Sequence, residues 1–141
     1  MNKALSLAVA ATLSCASLNS EAQTMIGKTT DVAAIANGDR MNAETLWAMG
    51  RIGGAAASPD GKTVVYQVGY YSVKQNKSHQ MLYTVSADGK KQHSLTTTAA
   101  SESDATWIDG GKRIAFLTGG QLWSMNADGT DRRQLTKSEI D

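Results

Sequence analysis

The eleven residues Ser86-Ala-Asp-Gly-Lys-Lys-Gln-His-Ser-Leu-Thr96 return forty positions later as Asn126-Ala-Asp-Gly-Thr-Asp-Arg-Arg-Gln-Leu-Thr136. A phrase written twice at such an interval marks a repeat fold, in which one supersecondary unit stacks against its copies. The match extends upstream. Ala57-Ser-Pro-Asp-Gly-Lys-Thr-Val-Val-Tyr66 aligns with Trp107-Ile-Asp-Gly-Gly-Lys-Arg-Ile-Ala-Phe116 at an offset of fifty, and Leu82 to Gly89 aligns with Leu122 to Gly129 at an offset of forty. The ten-residue difference is an insertion around Tyr70 to His79 in the first copy. An insertion between two matched strands belongs in the hairpin that joins them.

Within each copy the hydrophobic period is two. Val64, Tyr66 and Val68 share one face of Thr63–Val68, and Ile114 and Phe116 share one face of Arg113–Thr118. Met81–Ser86 and Gln121–Asn126 are two further strands rich in residues that suit a pleated surface. Gln92–Thr96 and Arg132–Thr136 are the outermost strands, and a strand before each copy's first turn completes the set. Turn chemistry punctuates these runs. Ser58-Pro59-Asp60-Gly61 places proline where its fixed φ suits a turn and glycine where φ must be positive. Asp109-Gly110-Gly111 takes that place in the second copy. Gly119-Gly120 reads as a two-residue hairpin turn, and Asp88-Gly89 and Asp128-Gly129 as Asp-Gly turns of the same kind. Four antiparallel strands at a period near forty are the pattern of a β-propeller blade. The expected fold is therefore all-β, a partial propeller of about two four-stranded antiparallel blades, over residues 55–98 and 99–137. A lone blade cannot bury both faces, so the unit needs neighbours.

The segments before the repeats read differently. Lys3, the apolar run Ala4 to Leu13 and Ser20-Glu21-Ala22 make residues 1–22 a secretory signal peptide cleaved between Ala22 and Gln23. The run is too short for a membrane span. The expected location is outside the cytoplasm, periplasmic or secreted. In a second reading Cys15 is the acylated cysteine of a lipoprotein. Cys15 is the single cysteine, so a chain cleaved at Ala22 can form no disulfide or thiolate metal site. Residues 23–41 are a polar, flexible leader. Residues 42–54 hold a short helix and an entry turn. Asn42 is the N-cap, Glu44 favours the helix dipole, and Gly50 supplies a left-handed stop. Ala43, Leu46, Trp47 and Met49 form the apolar face, with Trp47 as a packing anchor. Gly53-Gly54 is the entry turn, and residues 138–141 begin a linker.

Helix and repeats together carry a resemblance. Ala43-Glu-Thr-Leu-Trp-Ala-Met-Gly-Arg-Ile, Ser58-Pro-Asp-Gly-Lys-Thr-Val-Val-Tyr, Ala87-Asp-Gly and Ser94-Leu-Thr resemble the start of secreted bacterial serine peptidases of the prolyl oligopeptidase family. Dipeptidyl-peptidase and acylaminoacyl-peptidase-like members are the most similar. The resemblance covers about residues 43–141. It implies a propeller that restricts access to short peptides, paired with an α/β-hydrolase domain holding a Ser–Asp–His triad. On this expectation the chain supplies the first blades, while further blades and the hydrolase domain lie outside it. It would then be inactive alone and meet peptide substrates only within a full-length enzyme. No Gly-x-Ser-x-Gly nucleophile elbow occurs in the sequence, so no catalytic residue is assigned. The same blade occurs in TolB-type periplasmic proteins, which makes a non-enzymatic scaffold or binding module the alternative. A small protein that oligomerises to complete a ring is the third reading.

Other chemistry is sparse. The net charge of +1 offers no electrostatic basis for binding nucleic acid. No phosphate-cradling glycine loop is present, and neither cofactor nor metal is expected. His79, in the inserted hairpin, and His93, on an outer strand, are read as solvated surface histidines. Ser101-Glu102-Ser103-Asp104 offers two carboxylates, too few for a hard cation, and reads as an interblade loop. Lys90-Lys91 and Arg132-Arg133 are read as charges that keep an outer edge soluble. The Tyr70-Tyr71 insertion is the loop best placed to reach a neighbour.

Overall fold

The computed structural model describes residues 41–73 and 75–138. The signal-peptide and leader readings, including Cys15, Ala22 and Gln23, lie outside the described residues. One short helix, α1 (Ala43–Ala48), precedes eight strands. Strands β1 (Arg51–Ala57), β2 (Thr63–Ser72), β3 (Lys77–Ser86) and β4 (Gln92–Ser94) form one antiparallel meander. Strands β5 (Ser103–Ile108), β6 (Arg113–Thr118), β7 (Gln121–Asn126) and β8 (Arg133–Gln134) form a second with the same order. The chain is thus all-β, two four-stranded sheets and one helix. Among the described residues the sheets do not close into a ring.

The sheets pack face to face. Val65, Leu82 and Leu95 of the first meet Ile114, Phe116 and Met125 of the second, all at most 1% exposed. Trp107 joins the margin and donates its indole N–H to the Ala56 carbonyl at 2.9 Å. The opposite face of the first sheet carries Val68, Met81 and Tyr83, flanked by Tyr66 and Tyr70. There the Tyr66 and Tyr83 rings stack, and the Tyr70 and Tyr83 hydroxyls lie 3.1 Å apart. Burial, then the bond to Tyr70, pushes the Tyr83 phenol above its ordinary range.

The repeated Leu-Thr has a backbone cause. The amides of Leu95 and Thr96 both point at the Leu82 carbonyl, and those of Leu135 and Thr136 both point at the Leu122 carbonyl. Two residues facing one form a bulge that ends the ladder. The threonine hydroxyl then accepts from the amide of Leu82 at 2.8 Å, or of Leu122 at 2.9 Å, satisfying a strand donor the bulge leaves open. The outermost strands are therefore shorter than Gln92–Thr96 and Arg132–Thr136.

Several expectations are corrected. The insertion is not a loop. β2 and β3 run on to Ser72 and Lys77 in one continuous ten-pair register, against six pairs between β6 and β7. Gly53-Gly54 is not an entry turn but lies inside β1, at an irregularity between Ile52 and Ala55. A Cβ on Gly53 would sit 2.5 Å from the Gln67 amide, so the glycine permits close approach rather than a turn. Likewise, α1 ends on Met49 in an extended conformation, without a left-handed Gly50. Its Asn42 cap does accept from the Thr45 amide, at 2.7 Å. Thr45 is the buried helix residue, while Leu46 and Trp47 are 44% and 42% exposed. Six residues are too few for an apolar stripe to face a core, so capping and local contacts decide which side is covered.

Candidate functional site

The sequence-predicted turn residues gather at two kinds of bend. Gly119 and Gly120 both have positive φ, 56° and 70°, the geometry of a tight two-residue hairpin. Asp88-Gly89 and Asp128-Gly129 are of a different kind. Only the glycine is left-handed there, and its amide donates back to Ser86 or Asn126. Ser58 to Gly61 repeats this arrangement, and its side chains explain the Ser-x-Asp-Gly sequence. Ser58 Oγ donates to Asp60 Oδ1 at 2.6 Å, the Lys62 amide donates to the same oxygen, and the Thr63 amide donates to Ser58 Oγ. The same three bonds link Ser86, Asp88, Lys90 and Lys91. At Asp128 the Thr130 hydroxyl and amide replace the serine and lysine. Side-chain and then backbone hydrogen bonds hold all three carboxyls below the ordinary aspartate value of 3.8. Asp109, Gly110 and Gly111 make a tight left-handed turn, all at positive φ and closed by the Lys112 amide on the Asp109 carbonyl at 3.2 Å, and a Cβ on Gly111 would lie 3.0 Å from Pro59 Cδ. The missing side chain at Gly111 thus lets the leading turns of the two sheets approach closely.

The densest polar constellation lies inside the joint between the sheets. Glu102, 2% exposed, pairs with the Arg132 guanidinium and accepts from the Thr96 hydroxyl at 2.7 Å. Its own amide bonds the Gln80 carbonyl at 3.0 Å. Arg132 lies over the Phe116 ring, 4.9 Å from its centroid, and reaches the Leu95 carbonyl at 3.4 Å. One acid from the inter-sheet connection thereby ties the first sheet's outermost bulge to the start of β8. Glu102 does lie in the connection between the sheets, but as a buried, paired carboxylate rather than a surface one; Ser103 and Asp104 belong to β5, and Arg132 is not an edge charge. A surface role survives for Lys90, whose side chain is 81% exposed, and for Arg133, paired with Asp131 at 2.8 Å. His79 is also corrected, being 9% exposed rather than solvated. Burial lowers its pKa below 6.5, against an opposing pull from Glu102. His93 is exposed. Asp104 stands apart from Glu102, with its amide bonded to Gln67 Oε1 at 3.0 Å.

In this joint the Thr96 hydroxyl does meet the Glu102 carboxylate, but both are buried, at 3% and 2% exposure, and Arg132 pairs with the acid. The joint's bonds are the satisfied contacts of a packed interface between like units. The class so defined is a stacked repeat of four-stranded meanders, each sheet turning one face to its neighbour.

Comparison with known proteins agrees with that class. No family model matches the chain. Dipeptidyl-peptidase 5 of Porphyromonas endodontalis is 44% identical over 101 residues, 69% of this chain and 15% of the relative. Dipeptidyl-peptidase 5 of Porphyromonas gingivalis is 40% identical over 81 residues, 57% of this chain and 12% of the relative. Among solved structures, an acylaminoacyl peptidase of Pyrococcus horikoshii superposes with a TM-score of 0.55 at 14% identity, over 67% of this chain and 15% of that one. At that identity the superposition speaks for the fold alone. The chain resembles peptidases of the prolyl oligopeptidase family, and it spans about one seventh of the length of the curated relatives it matches.

Proposed function

We propose that this chain is the N-terminal propeller portion of an exported serine exopeptidase of the prolyl oligopeptidase family. Residues 55–98 and 99–137 are its first two blades, and their role is to scaffold the ring and restrict peptide access to a separate hydrolase domain. The observation that carries this reading is the 44% identity to a dipeptidyl-peptidase over 101 residues, in a chain whose sheets stack as repeats. The buried Glu102–Arg132 pair supports the scaffold role, because it fixes one sheet against the next. Residues 1–22 direct export, and peptides reach the active site only in the assembled enzyme.

A chimera tests the proposal. Residues 42–137 replace the matching segment of the Porphyromonas endodontalis dipeptidyl-peptidase, and release of dipeptides from a short peptide is measured. The expected result is a soluble chimera with activity within about tenfold of the parent, a loss of under roughly 1.4 kcal/mol in transition-state stabilisation. A folded, monodisperse chimera without activity would overturn the assignment. Export is tested separately, by fractionating cells that express residues 1–141 and looking for a cleaved periplasmic or secreted product.

A further inference from the structure

The inserted hairpin builds a surface that the stacking of sheets does not use. Eight large apolar side chains are exposed among the described residues. Six of them, Met41, Leu46, Trp47, Ile52, Tyr71 and Val73, lie in residues 41–52 or near the tip of the β2–β3 hairpin. Between α1 and that tip is a groove of about 480 Å³, whose lining includes the apolar Trp47, Tyr71 and Val73 and the polar Asn76, Lys77 and Ser78. This volume falls within the roughly 300–1,000 Å³ of ligand-binding clefts.

The groove has ordered walls. The Arg51 guanidinium lies 4.8 Å from the Trp47 ring centroid and 4.5 Å from that of Tyr71, and the two rings meet edge to face at 5.7 Å. A cation held against two rings fixes both without filling the space in front of them. Charge supplies the second constraint. Among the described residues neither Arg51 nor Lys77 has a carboxylate partner, and no acidic side chain is in the groove's lining. A site with oriented aromatic walls, lined by the Lys77 ammonium and backed by Arg51 against its two rings, favours an occupant that brings both an apolar group and a negative charge.

We propose that this groove docks an extended segment of a partner polypeptide, one carrying large apolar side chains flanked by carboxylates. The apolar side chain would lie against Trp47, Tyr71 and Val73, and a flanking carboxylate would meet Lys77. Two cations fall short of the cluster of about four to eight that marks recognition of an anionic membrane. The proposal does not rest on the peptidase reading, because it uses only the helix and the hairpin.

Calorimetric titration of the full chain with Ac-Glu-Glu-Leu-Phe-Glu-Glu-amide tests it, beside the same peptide with lysine at every glutamate. Lys77→Glu and Val73→Asp change exposed positions, so circular dichroism and melting should match the parent. Saturable binding of the acidic peptide alone is expected, weakened roughly fivefold to tenfold by Lys77→Glu, as a reversed exposed charge predicts. Val73→Asp should weaken it similarly. Equal binding of both peptides, or none at millimolar concentration, overturns the proposal. So does binding to phosphatidylserine vesicles without binding to the acidic peptide. Light scattering that shows a peptide-free dimer lost in Val73→Asp would overturn it in favour of self-docking.

Discussion

Replacing Arg132 by methionine strips the buried Glu102 carboxyl of its cation, with the Thr96 hydroxyl as its remaining side-chain donor. Breaking a buried pair in this way typically costs about 3–5 kcal/mol, because the orphaned charge cannot rehydrate. Glu102→Gln is expected to be milder. The amide still accepts from Thr96, and the Arg132 side chain, 20% exposed, has some access to water. A loss of about 1–3 kcal/mol follows from the missing charge-assisted bond. Urea unfolding of both variants checks the order, and a larger loss in Glu102→Gln would contradict it. His79 adds a pH dependence of known sign. Its native pKa is lowered, so between that value and 6.5 the unfolded chain binds the extra proton. Stability from this residue is therefore full above 6.5 and lost as pH falls through the window below it. Thermal melting from pH 8 to pH 5 should show that decline, and His79→Gln should flatten it. The turn aspartates act lower. Asp60, Asp88 and Asp128 have depressed carboxyl values, so their contribution is present above 3.8 and fades as pH drops below it.

At the level of strands, equivalent positions in the two copies have different neighbours. Leu95 and Leu135 occupy the same place in the repeated phrase, yet Leu95 is 1% exposed and Leu135 is 51% exposed. Leu95 is covered by the second sheet, and no described residue covers Leu135 in that way. Leu95→Ala should cost about 2–5 kcal/mol, as for other buried leucines, while Leu135→Ala should stay within about 0.5 kcal/mol. Denaturant midpoints of the pair provide the check. The four-stranded units were legible in the sequence because a period of two and left-handed glycines are local properties. The place of the insertion, in the hairpin between the second and third strands, was legible too, but its strand state was not. Its tyrosines and serines carry no clean alternation, and their strand state is held by ten cross-strand pairs. The joint was hidden for another reason. Glu102 sits in a polar run that looks like a loop, and only contact with Arg132, thirty residues away, explains its burial. The repeated phrase does differ there, Gln92 against Arg132, but it differs at five further positions as well, so the sequence alone does not mark the joint.

Across the whole molecule, the side chains buried to 1% exposure or less in the main core all lie where the sheets meet. Neither sheet owns that core alone, so the two should unfold as one unit rather than in sequence. Protection against amide exchange should follow the same map. The slowest amides are expected in β2, β3, β6 and β7, which carry Val65, Leu82, Ile114, Phe116 and Met125. β8, only two residues long and exposed, should exchange through local fraying at far lower cost. Exchange measured by nuclear magnetic resonance in rising urea distinguishes the cases. If the slow amides of β2 and β6 converge on one opening free energy, the sheets form a single cooperative body. If β6 opens well below β2, the second sheet unfolds independently and the Glu102–Arg132 tie does not couple them. Arg132→Met should then separate the two sets even where they coincide in the parent, since it removes the strongest polar link across the joint while leaving the strands of each sheet intact.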